Sequence, residues 1–260
     1  GVDIKMIGIF SIVGLPYTLK FLWSPFMDRF VPPFLGRRRG WIVCTQVALL
    51  AGIAVMALMS PQSMPFALGI IALCVAFFSA SQDIVVDAYR TDVLPAHERG
   101  TGVAVFIFGY RIAFLVAGAL ALMMADRVGW QKTYIFMACL MILGMLGSFA
   151  GREPDGKIVP PKNMGEAVWG PLKDFFSRKS AVVLLLFIIL YKLGDAYAGA
   201  LTTAFLIRGV HFTLSELAII NKLIGIVATI VGALFGGTLM VKMGLFRSLW
   251  WFGILQTLSN

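Results

Sequence analysis

The sequence predicts an all-α protein, a polytopic transmembrane helical bundle. Three observations carry this. Hydrophobic residues fill 59% of the 260 positions and charged residues only 13%, whereas a soluble domain is about half apolar and about a quarter charged. The apolar residues come in long runs, and about 20 in a row cross a bilayer as one helix. Lys and Arg gather in alternate connections between the runs, the pattern that orients a chain in a membrane. A net charge of +9 raises the question of nucleic acid, but that needs one basic face. Here the charge is split into short clusters, so nucleic acid is not an expected partner.

Eight segments follow in order: Met6–Met27, Trp41–Met59, Phe66–Ala88, Thr101–Met124, Trp130–Ala150, Ala181–Ile207, Leu217–Val241, and Phe246 to the end. The last has 15 residues, fewer than a full span needs. The expectation is therefore seven complete helices and part of an eighth, cropped from a longer chain. No signal-peptide pattern opens the sequence. The connections Asp28–Gly40, Tyr89–Gly100, Gly151–Ser180 and Lys242–Arg247 hold fourteen Lys and Arg against four in the alternate set, which puts the first set in the cytoplasm. Lys20, Arg111, Lys192 and Lys222 fall inside apolar segments. Lys20 is near enough to the cytoplasmic end to snorkel. The three cysteines, Cys44, Cys74 and Cys139, each lie in an apolar run without metal-ligand spacing, and are expected to be small buried residues. No metal site is predicted.

Gly151–Ser180 is the one long polar connection. Its opening, GREPDGKIVPPKN, has linker composition, and Met164, Val168, Leu172 and Phe175 then recur at helical spacing. A short amphipathic helix on the membrane surface is expected there. The linker divides the chain into an N-terminal helical half (1–150), the linker itself (151–180) and part of a C-terminal half (181–260). A weak internal repeat supports the division. Ser24 to Arg29 with Gly36 to Arg39 ends the first segment, and Gly237 to Gly244 with Arg247 ends the seventh.

The basic turn from Asp28 and Arg29 to Gly36, Arg37, Arg38 and Arg39 resembles the cytoplasmic loop signature between the second and third helices of the major facilitator superfamily. Ser24 stands where the family has Gly, and Phe30–Leu35 lengthens the gap. The resemblance implies that the chain covers helices two to six before the linker and seven to nine after it. More specific stretches are FLWSPFMDR (21–29), PPFLGRRRGW (32–41), SASQDIVVDAYRTDVLP (79–95), YKLGDAY (191–197) and TTAFLIRGV (202–210). They resemble the AmpG family of muropeptide permeases of Gram-negative bacteria, over nearly the whole chain. That resemblance implies a multi-pass monomer of the bacterial inner membrane. It would import GlcNAc-anhydroMurNAc, with or without peptide, by symport with protons, for peptidoglycan recycling and the β-lactamase induction that recycling feeds. It implies the proton gradient as driving force and no cofactor. Another sugar, a peptide or an acyl-carrier substrate is the alternative cargo. A membrane enzyme is not expected, because no Ser/His/Asp arrangement is present.

The residues themselves suggest the chemistry. Asp83 and Asp87 are four apart, so a helix sets them on one face, about 6 Å apart along its axis. A carboxylate within a membrane is costly and needs a reason. Low dielectric and a neighbouring like charge both favour the protonated form, which makes proton coupling the functional reading. The structural alternative pairs Asp87, Arg90 and Asp92 with Arg29 or Arg37–Arg39. Arg111 either pairs with Asp83 or grips a substrate carboxylate. Lys192 and Asp195 either pair within one helix or line a cavity, which Lys222 would share. Tyr17, Gln82, Tyr110, Tyr134, Tyr191, Tyr197 and Asn221 are the aromatic and amide groups available to a sugar; packing is the default role of each. His97 and His211 fall in opposite loops, without partners for catalysis.

Overall fold

A computed structural model of the chain describes residues 11–60, 63–95, 97–154, 159–211 and 225–259, with the backbone alone at 11, 194–204, 207–208, 226 and 259. Among these residues the secondary structure is entirely helical. Among the described residues, four helices are long and apolar enough to cross a membrane, and shorter apolar helices accompany them. Dozens of large apolar side chains stand exposed, among them Phe66, Val105, Leu143 and Phe235. That outward apolar surface suits lipid as solvent rather than water.

Two compact units organise the chain: Gly1–Pro95 with Phe114–Gly170, and Ala96–Ala113 with Pro171–Asn260. In the first unit the opening apolar segment is broken rather than one continuous helix. A 3-10 turn, Ser11–Gly14, leads into α1 (Leu15–Leu19), a second 3-10 turn covers Lys20–Leu22, and α2 is Ser24–Arg29. Pro16 and Pro25 sit at the starts of α1 and α2, where a proline is tolerated and where it discourages the preceding residue from helix. The part of this segment before Ser11 lies outside the described residues.

Helix α3 (Arg37–Ala57) is the centre of the unit, packed on both α4 (Pro65–Val93) and α7 (Trp130–Ala150). Its buried residues include Arg38, Ile42, Thr45, Gln46 and Leu49, a spacing that draws one stripe down the helix. Buried Gln46 is met by the Ser148 hydroxyl of α7, which donates to its Oε1 at 3.0 Å. Helix α4 has 29 residues, about 43 Å of helix against a hydrocarbon core of about 30 Å. Its polar end, Asp87 to Asp92, therefore extends past the apolar layer. The core of this region joins Met27, Ile42 and Val85, with Trp23, Trp41 and Tyr89 around them.

A thirty-residue apolar span follows. It consists of α5 (Arg99–Leu115), a π-helical turn at Val116–Leu120 and α6 (Ala121–Val128). Helix α7 matches the predicted Trp130–Ala150 segment. The predicted amphipathic helix is α8 (Met164–Ser177). Asn163 Oδ1 caps it by accepting from the Glu166 amide, and Glu166 reaches back to the Lys162 amide. Val168, Trp169, Leu172 and Phe176 are exposed along it.

The second unit holds α9 (Ala181–Arg208), α10 (Gly225–Met243) and α11 (Leu245–Ser259). Residues 96–113, which composition assigns to the N-terminal half, group here because α5 lies directly against α10. A methyl group at Gly237 would come within 2.7 Å of the Ala104 Cβ and 2.9 Å of the Gly100 carbonyl. Only glycine permits that approach. Residues 212–224, which include the opening of the predicted Leu217–Val241 segment, lie outside the described residues.

Candidate functional site

Two charged groupings stand in the first unit, and they differ in kind. One is built on the turn from α2 to α3. Gly36 takes φ +80°, a left-handed backbone that glycine adopts without steric cost, and this sends α3 off with its first amides exposed. Glu153 receives them. Its Oε1 accepts from the Arg38 amide at 2.8 Å and its Oε2 from the Arg39 amide at 3.0 Å. A carboxylate at a helix N-terminus satisfies donors that have no partner inside the helix and complements the helix dipole.

The arginine side chains are engaged as well. Arg38 bridges two acids: Nη1 donates to Asp28 at 2.9 Å and Nε to Asp92 at 2.7 Å. Arg37 adds a second bond to Asp28 at 2.8 Å. Arg39 donates to the carbonyls of Ser148 and Phe149 at the end of α7. Tyr89 donates to the Arg152 carbonyl. Arg38 and Asp92 are nearly buried, with 11% and 14% of their side chains exposed. The cluster ties together α2, α3, α4 and the chain leaving α7. Arg29 is not among its ion pairs; it sits over the Phe30 ring at 5.7 Å.

The second grouping lies deeper along α4. Lys20, in the 3-10 turn after α1, forms an ion pair with Asp83. Two neutral bonds flank it. Tyr17 donates to the Ser79 hydroxyl at 2.7 Å, and the Trp23 indole to the Ser81 hydroxyl at 2.9 Å. Ser81 in turn donates to the Phe77 carbonyl. The three donors, Tyr17, Lys20 and Trp23, are three residues apart. That spacing is close to one helical turn, in α1 and in the 3-10 turn that follows it, so the three positions fall near one face. Side-chain exposure is 33% for Lys20 and 40% for Asp83, so the pair is open on one side.

These contacts revise several expectations. Lys20, expected to snorkel, is the partner of Asp83. Asp87 does not join the arginine cluster but pairs with Arg90, three residues on in its own helix, at 2.9 Å. The cluster uses Asp92 and Asp28 instead, because they lie closer to the turn that carries the arginines. Gln82, next to Asp83, keeps a shielded Oε1 without a hydrogen-bond partner among the described residues.

Tyr110 and Arg111 stand on α5, and Tyr191 and Lys192 on α9, all in the second unit. Tyr110 is exposed, and Arg111 is half-buried with its Nε unpartnered among the described residues. Tyr191 packs on Phe187, ring centres 5.6 Å apart. The side chains of Asp195 and Tyr197, and Asn221 and Lys222 altogether, lie outside the described residues. Glu153 is the residue that sequence reasoning missed. Its signal was faint: an acid just past a span, far in sequence from the helix it caps, while Gly36 offers α3 no side-chain cap of its own.

Comparison with known proteins then gives the context. The model of the Major Facilitator Superfamily matches residues 2–259. The anhydromuropeptide permease of Escherichia coli strain K12 is 53% identical over 260 residues, covering all of this chain and 53% of that protein. An uncharacterised protein of Haemophilus influenzae is 41% identical over 262 residues, covering 99% of this chain and 61% of its own. The putative transporter AmpG 4 of Rickettsia felis is 37% identical over 271 residues, covering all of this chain and 65% of its own. The chain thus spans about half the length of the Escherichia coli relative.

Proposed function

The chain belongs to the major facilitator superfamily, a membrane-protein family, and from that premise we propose that it forms part of a proton-driven importer of anhydro-muropeptides. The observation that carries the substrate is the 53% identity, over the whole chain, to a protein named for that cargo. The protein would lie in the bacterial inner membrane as a monomer and work by alternating access. The gradient would act through a carboxylate on α4, with no cofactor. Asp83 is the favoured carboxylate, because it stands along the apolar length of α4 and has a cation beside it. Asp87 is the second, held by Arg90 where α4 turns polar. Substrate groups would be met by Gln82, Tyr110, Arg111, Tyr191 and Lys192, together with Asp195, Tyr197, Asn221 and Lys222. The arginine cluster would hold the cytoplasmic end of the first unit.

The test is uptake of labelled GlcNAc-anhydroMurNAc into energised right-side-out vesicles. Wild-type uptake should collapse on adding a protonophore. Asp83→Asn should cut gradient-driven uptake to about a tenth or less, since a fixed neutral group takes part in no proton cycle, while exchange of internal for external substrate continues. Protonophore-sensitive uptake that survives Asp83→Asn combined with Asp87→Asn would remove the coupling role from both. Uptake of a different sugar or of a free peptide, with anhydro-muropeptide ignored, would replace the cargo.

A further inference from the structure

The Lys20–Asp83 pair has a property that the arginine cluster lacks: among the described residues each member has one ionic partner. Among the described residues, the charged and titratable groups on the elements packed against α4 have partners of their own. From the first segment come Tyr17, whose hydroxyl donates to Ser79, and Trp23, whose indole donates to Ser81. From α2 come Asp28, held by Arg37 and Arg38, and Arg29, over the Phe30 ring. From α4 itself come Asp87, paired with Arg90, and Tyr89, bonded to the Arg152 carbonyl. The apolar part of α3 offers only the thiol of Cys44, and its arginines are occupied at the far end by Asp28, Asp92 and Glu153. Among the described residues no second acid is thus positioned to take over Lys20 once Asp83 is neutralised. An ammonium in apolar surroundings without a counter-ion is strongly disfavoured. A third of the Lys20 side chain is open, so an anion from outside the protein can reach it.

We propose that Lys20 is the anion-binding residue of the transport site and that Asp83 is its built-in competitor for a carboxylate of the substrate. The inference rests on the transport reading above and names how proton and substrate exclude each other's absence. While Asp83 is ionised it occupies the ammonium, and the site is closed to anions. A proton added to an Asp83 carboxyl oxygen gives the neutral acid, and the ion pair opens. Lys20, still charged, then takes the ligand's carboxylate in a charge-assisted hydrogen bond. On the other side the ligand leaves, Asp83 returns its proton to water, and the pair closes again. One proton travels with one ligand carboxylate, so a ligand bearing a single carboxylate moves without net charge. For GlcNAc-anhydroMurNAc that group is the lactyl carboxylate of the muramic residue.

The experiment measures binding of this disaccharide, and of its lactyl carboxamide, to the purified full-length transporter at pH 5.5 and 7.5. Wild type should bind the acid about tenfold tighter at the lower pH, and at that pH should prefer it to the carboxamide by about ten- to a hundredfold, as one charge-assisted bond commands. Lys20→Gln should erase both differences and Lys20→Arg should restore the preference for the acid. Asp83→Asn, which leaves Lys20 uncontested, should bind the acid tightly at both pH values and so reports on the site even where Lys20→Gln folds poorly. In vesicles, uptake of the disaccharide should follow the pH difference and ignore an imposed membrane potential. A well-folded Lys20→Gln protein that still prefers the acid, or Asp83→Asn binding with wild-type pH dependence, overturns this inference alone. Failure of the wild type to bind either disaccharide overturns the muropeptide reading and this inference with it.

Discussion

The arginine cluster and the Lys20–Asp83 pair use the same chemistry to opposite ends. In the cluster Arg38, Asp28 and Glu153 each have two partners. Arg38 holds Asp28 and Asp92, Asp28 is shared with Arg37, and Glu153 takes two amides. Neutralising one carboxylate there leaves the rest connected, and Arg38 and Asp92 are largely sealed. The pair has one bond between two charges and an open side. Redundancy makes a joint that resists change, and a single bond makes one that a proton can open. Both groupings meet on α4, nine residues apart, so one helix carries shared charges at its end and a single ion pair along its middle.

Substitutions can break this contrast. Arg38→Ala should do most harm, because it strips Asp92 of its ionic partner and weakens the hold on Asp28 while leaving both acids in place. Removing one member of a nearly buried pair costs about 3 kcal/mol, which should appear as a clear drop in the melting temperature of the detergent-solubilised protein. Glu153→Ala should cost about 1 kcal/mol, the usual value of a helix cap, read in the same melt. It should also speed hydrogen exchange at the amides of Arg38 and Arg39. If Arg38→Ala and Glu153→Ala together cost only the sum of the two, the cluster is not the connected joint described here. Arg90→Ala removes the helical ion pair with Asp87, a loss that should change stability by about 0.3 kcal/mol. A large loss there would mean that Asp87 belongs to the fixed end after all.

The fold was legible because a bilayer leaves few choices. Runs such as Trp130–Ala150 have to be helices when no water is present to satisfy their backbone, and α7 begins and ends where its sequence predicts. The amphipathic α8 was equally plain from its spacing. The breaks in the first segment were written in Pro16 and Pro25, yet hydropathy alone averages over them. The site was legible in part. Asp83 announces itself as a carboxylate in an apolar run, and the basic turn by its composition. Partners were not legible, because they depend on which faces meet. Lys20 and Asp83 are 63 residues apart in sequence, and Glu153 and Arg38 are 115 apart. Asp87 and Asp92 look interchangeable as acids near the end of α4, but only Asp92 comes within reach of Arg38.

The 3-10 turn at Lys20–Leu22 sets an arithmetic of its own. A 3-10 helix advances about 2.0 Å and turns about 120° per residue, while an α-helix advances about 1.5 Å and turns about 100°. Three residues wound one way rather than the other thus differ by about 1.5 Å in length and about 60° in azimuth. Between two prolines, that stretch behaves as a screw thread of variable pitch. The direction of the Lys20 ammonium and the reach of the chain to α2 are tied to one winding number, so neither can change without the other.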